Sequence, residues 1–166
     1  QISNMCNIHK SLLVAKNQSS DLIYFVEDDY IHIIESFNEM ILSYERIASQ
    51  LNKELVLCPT DYPYLYTKMD PSSIFLGSNK HWRRVHETLC TFCTSKILID
   101  KYWSKFVSMC QFEHYPFEEP LHEIYKLEYC LSPIPSLAIH CTNINSIFGL
   151  SPNIDWKKIW EDNKDY

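Results

Sequence analysis

The chain has 166 residues, 46% of them hydrophobic and 22% charged, with a formal net charge of −6. That composition excludes a disordered polymer and suits one globular domain with its own core. The acidic balance gives no footing for nucleic acid, which needs a basic face against its phosphates. Only two glycines are present, which excludes a GxGxxG dinucleotide turn and a P-loop, since each needs several in one short loop.

Residues 3–18 read as an amphipathic helix with Met5, Ile8, Leu12, Leu13 and Ala15 along one side, broken by Asn17-Gln18-Ser19-Ser20. Leu22-Ile23-Tyr24-Phe25-Val26 is a continuous apolar, β-prone run, the pattern of a central strand buried on both faces. It stops at Glu27-Asp28-Asp29. A second helix is expected over 33–50, burying Ile34, Phe37, Ile41, Leu42 and Tyr44. Leu55–Cys58 is a short buried strand, followed by a loop in which Tyr62, Tyr64 and Tyr66 share one side of an extended chain. One or two strands are expected between Arg83 and Thr94, then a helix from Ser95 to Met109 and another over 117–128. A strand from Ser136 to His140 and a tail helix from Asp155 to Trp160, capped by Asp155 or Asn153, complete the pattern. Alternating strands and helices indicate an α/β architecture.

Seven cysteines, several of them inside apolar runs, fit buried reduced thiols of a cytoplasmic protein better than a disulfide framework. Cys90-Thr91-Phe92-Cys93 has CxxC spacing, but a zinc site would need a second ligand pair such as His81 and His86. No apolar run approaches the length of a membrane span.

Ligands of open α/β sheets gather outside the carboxyl ends of the strands. Three consecutive acids there repel one another, and a hard divalent cation is the simplest group to offset that repulsion. The plain alternative is a solvated loop with one acid capping the next helix. In its context, Ile23-Tyr24-Phe25-Val26-Glu27-Asp28-Asp29-Tyr30 resembles the DxD-type motif of GT-A glycosyltransferases in its Glu-Asp-Asp form. The resemblance implies a Rossmann-like, mostly parallel mixed sheet flanked by helices, with residues 1–166 as a single domain. It implies that Asp29 ligates Mn²⁺ or Mg²⁺ on the donor diphosphate, while Glu27 and Asp28 contact the ribose, the sugar or metal-bound water.

Two later segments follow the same resemblance. Phe117-Glu118-Glu119-Pro120-Leu121-His122-Glu123 resembles the acidic segment that supplies the general base of inverting members, implying Glu119 first and Glu118 second. Acids in a helix's first turn are also favoured by its dipole alone. Pro133 to His140 resembles the strand that ends in a metal-binding histidine, implying His140 as a second ligand. Lys80 to Cys93 is similar to a basic-aromatic stretch and strand of the same group. Trp82 would stack on an acceptor sugar, Arg83 or Arg84 would reach a phosphate or carboxylate, and Tyr64, with Tyr62 and Tyr66, would line the acceptor groove or pack a lid. Trp82 as core is the competing reading.

A GT-A domain begins with a strand and loop for the nucleotide base, and only one helix precedes Asp21. The expectation is therefore the larger, C-terminal part of the fold, N-terminally truncated. The implied activity moves a sugar, with inversion, from a nucleotide-diphosphate donor (a UDP-sugar favoured) to a carbohydrate, lipid-linked or protein acceptor. Cytoplasmic location with peripheral membrane association goes with it. Two other readings stay open: a non-catalytic carbohydrate- or partner-binding module, and a Mg²⁺-dependent nucleotidyl- or phosphotransferase.

Overall fold

The computed structural model describes residues 3–19, 21–69, 71–114, 117–142 and 144–165, so Ser20 of the first expected break lies outside the described residues. The chain runs α1 (Asn4–Gln18), β1 (Leu22–Phe25), β2 (Tyr30–His32), α2 (Ser36–Leu51), β3 (Leu55–Leu57), a 3₁₀ turn (Pro63–Tyr66), β4 (Ile74–Leu76), β5 (His81–Arg84) and β6 (Phe92–Ser95). It continues with α3 (Lys96–Lys101), α4 (Trp103–Ser108), α5 (Glu119–Leu127), β7 (Tyr129–Ile134), β8 (Ala138–His140) and α6 (Trp156–Asn163). Ser3 caps α1 by accepting the Cys6 N–H at 3.2 Å, and Asp155 caps α6 by accepting from Lys157 and Lys158.

Six strands form one mixed sheet in the order β1-β6-β3-β7-β5-β4, and β2 pairs with β8 in a separate ribbon. The sheet corrects two expectations. Only β3–β7 is parallel among its described pairings, so the sheet is mixed but not mostly parallel. The acid-bearing β1 is an edge strand, not a central one. Ile23 and Phe25 pack on the cluster that holds Leu12 of α1, Leu22 and Tyr24 pack on the α2 cluster, and β6 is the strand neighbour of β1.

The core follows the two-residue period of the strands. Val56 and Cys58 point to one face, where α1, α3, α4 and α5 bring Leu12, Ile99, Phe106 and Tyr125. Leu55 and Leu57 point to the other, where α2 brings Met40, Tyr44 and Ile47 onto Trp82 and Leu131. At α2, Tyr44 is buried as expected, but Ile34, Phe37, Ile41 and Leu42 are exposed. The inward face carries Ser36, Glu39, Met40, Ser43, Tyr44 and Ile47, because polar groups at Glu39 and Ser43 bind the β4–β5 turn. Among the described residues no helix is long and apolar enough to cross a membrane.

Candidate functional site

The site begins where β1 stops pairing. Phe25 is opposite Phe92 of β6, and beyond that pair Glu27 N–H donates to Thr91 Oγ1 at 3.1 Å. The side chain of Thr91 thus replaces a ladder hydrogen bond and turns the chain toward Asp28 and Asp29. Burial pushes the Glu27 carboxyl up, and neighbouring Asp29 adds to the rise. Asp28 is exposed in the turn.

The ribbon then brings in the histidine. Tyr30 pairs with His140, and the Cys141 N–H donates to the Asp29 carbonyl at 2.8 Å. That register sets Asp29 Oδ2 2.8 Å from His140 Nε2, joining residues 111 apart in sequence. The His140 ring stacks on Tyr30 with centroids 4.9 Å apart, and the Tyr30 hydroxyl meets that of Tyr62. His140 is 8% exposed, and its Nδ1 has no hydrogen-bond partner among the described residues.

Asp29 Oδ2 and His140 Nε2 are hydrogen-bonded to each other, so a divalent ion held by both would replace that bond. A carboxylate with an imidazole suits Mn²⁺. Among the described residues no third acid, histidine or cysteine completes a protein cluster, so the remaining positions would fall to ligand and water.

A cleft of about 550 Å³ opens beside these acids, lined by Asn4, Asn7 and Ser11 of α1, by Phe25, and by Cys90. At the far side of Cys90 stands the second acidic segment. Glu118, the residue before α5, accepts a hydrogen bond from the Cys90 thiol with Sγ 3.6 Å from Oε1. Burial pushes its carboxyl up, and the thiol acts against that rise. Glu119 begins α5 and is exposed. Of the two candidates, Glu118 is the one that contacts the cleft residue Cys90.

The expected acceptor residues need correction. Trp82 is 0% exposed, its Nε1 donating to Ser43 Oγ at 3.1 Å and toward Glu39 Oε1 at 3.3 Å, so its faces are closed to a sugar by α2 and β4. Arg83 is buried in an ion pair with Asp61 and lies over the Tyr66 ring, so its guanidinium is already engaged. Tyr64 is buried in the 3₁₀ turn, its hydroxyl donating to the Glu87 carbonyl at 2.8 Å. Tyr62 is buried too, and of the three tyrosines only Tyr66 is exposed. The chain is not extended there.

Cys90 and Thr91 are site residues that the pattern alone did not assign. Their contacts are to Glu118 and Glu27, 28 and 64 residues away, and no local signal encodes those pairings. As CxxC partners, Cys90 and Cys93 diverge: Cys90 packs in the core cluster of α1, α3, α4 and α5, and Cys93 in that of α2. All seven cysteines are free thiols. No known family, curated protein or solved structure matches the chain.

Proposed function

We propose that the protein is a metal-dependent glycosyltransferase of the GT-A type, acting in the cytoplasm on a nucleotide-diphosphate sugar. The observation that carries this reading is the Asp29–His140 pair at the end of the acid-bearing strand, beside a cleft whose lining residue Cys90 donates to a second, half-buried carboxyl at Glu118. A divalent ion held by Asp29 and His140 would neutralise the charge that develops on the leaving diphosphate.

The remaining work falls to the chain. Asp28, exposed beside the metal ligand, is placed to contact ribose or sugar hydroxyls. Glu118 accepts the proton of the acceptor hydroxyl as that oxygen attacks the anomeric carbon, and the nucleotide diphosphate leaves from the opposite side. A base serves best with its pKa near the working pH, and burial moves Glu118 in that direction. Asn4, Asn7 and Ser11 offer neutral donors and acceptors to the donor's ring atoms across the cleft.

One observation favours a second reading. Asp29 and His140 already satisfy each other through 2.8 Å, as they would in a non-catalytic carbohydrate-binding module where the pair only ties β1 to β8. Melting temperature measured with UDP, GDP and CMP, each with and without Mn²⁺, separates the two. The expected result is a rise that needs both a nucleoside diphosphate and Mn²⁺ and is lost in Asp29→Asn. Carbohydrate binding indifferent to EDTA and to Asp29→Asn, with no nucleotide effect, would overturn the transferase reading.

A further inference from the structure

Residues 88–91 have no part in the chemistry just described, yet they touch its base, Glu118, and the strand-end acid Glu27. Thr91 is 2% exposed, and its hydroxyl receives the Glu27 N–H at 3.1 Å and lies 3.4 Å from Glu27 Oε2. One residue earlier, Cys90 is 5% exposed and its Sγ stands 3.6 Å from Glu118 Oε1. One turn into α5, His122 Nε2 meets the Thr88 carbonyl at 3.3 Å. The start of α5 is thus tied at two points to the segment that also holds the end of β1.

The chemistry of Cys90 fixes the direction of its bond. Burial first, and then the neighbouring Glu118, hold the thiol well above its ordinary range, so it stays protonated and can only donate. Glu118, as a carboxylate, can only accept.

We propose that Cys90 is a positioning residue, whose thiol holds the Glu118 carboxylate beside the cleft while adjacent Thr91 fixes Glu27, so that two consecutive residues set the spacing of these two acids. The catalytic meaning of this proposal rests on Glu118 being the base; its physical content rests on the contacts alone. The charged and titratable groups around Glu118 are Glu27 at the end of β1, Cys90 before β6, and Tyr125 and His122 on α5, with Cys110 of the α4 end beyond Cys90.

A hydrogen bond donated to a carboxylate favours its charged form. Removing the donor therefore raises the midpoint of Glu118, and a stronger hydroxyl donor lowers it. The test is a carboxyl ¹³C NMR titration of the metal-free protein, with Glu118 assigned through Glu118→Gln. The expected order of midpoints is Cys90→Ala above wild type above Cys90→Ser, with Glu119 and Glu123 unmoved. Equal midpoints in the three folded proteins would overturn the proposal. Should Cys90→Ala not fold, the Ser variant against wild type decides alone. With UDP-glucose turnover as a second readout, Cys90→Ala lowers kcat about tenfold at unchanged KM and Cys90→Ser restores it, a fraction of what a positioned base contributes. The titration needs no donor, metal or activity, so its failure is distinct from failure of the nucleotide and Mn²⁺ thermal shift.

Discussion

Glu39 and Asp61, at the β5 side of the sheet, are 3% and 2% exposed and are surrounded by donors. Glu39 receives Ser43 Oγ, the Asn79 N–H and Trp82 Nε1, and Asp61 receives Arg83 and Tyr66. The fit is close enough that a Cβ on Gly77 would lie 2.3 Å from Trp82 Nε1. At the β1 end, Glu27 and Asp29 line a cleft, and they and Glu118 have fewer partners. Fully partnered buried acids serve the fold, whereas half-buried acids with donors missing are the ones with affinity left over for something else. Substitutions at the two ends should then separate cleanly into stability effects and activity effects.

The largest expected effect is at the partnered end. Asp61→Ala leaves Arg83 buried and unpaired and should cost about 4 kcal/mol of unfolding free energy, read from a denaturant midpoint. A change below about 1 kcal/mol would break the comparison. Asp29→Asn keeps an oxygen for His140 and removes the charge. It should lower nucleotide-sugar turnover about a thousandfold with an unmoved melting temperature.

Acid should next act selectively on the ribbon. Burial lowers His32 to about 4 from 6.5, where its Nε2 meets Tyr24 Oη at 2.5 Å. Its unfolded form therefore binds more protons in that window, so stability is full above pH 6.5 and falls as pH drops toward 4. The upper bound is about 3 kcal/mol, and His32→Phe should flatten that limb of a pH–stability curve. Glu39→Gln should cost about 1–2 kcal/mol, since an amide presents a donor to the Asn79 N–H or to Trp82. The smallest effect is Glu119→Gln, within about 0.5 kcal/mol in stability and about twofold in kcat. A large kcat loss there would return the base to Glu119.

The sequence made some of this legible for physical reasons and concealed the rest for others. The acid-terminated strand was readable because an apolar run has only one simple use, and Tyr30 to His140 then juxtaposes the acids with a histidine. Strand position was not readable: β1 is apolar because the α1 and α2 clusters pack on its two faces, and composition cannot tell such an edge strand from a central one. Strand β7 was not among the expected elements, and it carries Pro133, a residue that a central strand rarely accommodates. The Val85 N–H to Cys130 O bond sets the alternation so that Pro133, opposite Trp82, turns its nitrogen away from β5. On that side β3 has already ended at Leu57. The burial of α2 was misjudged because apolar residues are normally inward, whereas here the donors of the β4–β5 turn draw Glu39 and Ser43 inside.

The ribbon of β2 and β8 also has a consequence in time. Asp29 and His140 are 111 residues apart, and closing a loop of that length costs about 2 kcal/mol more than closing one of ten residues. On a ribosome, the three acids are made 111 residues before the imidazole that pairs with Asp29. Strand β8 pairs with β2, so it cannot join the ribbon until that long loop closes. A nascent chain that stops short of His140 thus has no complete place to capture a metal.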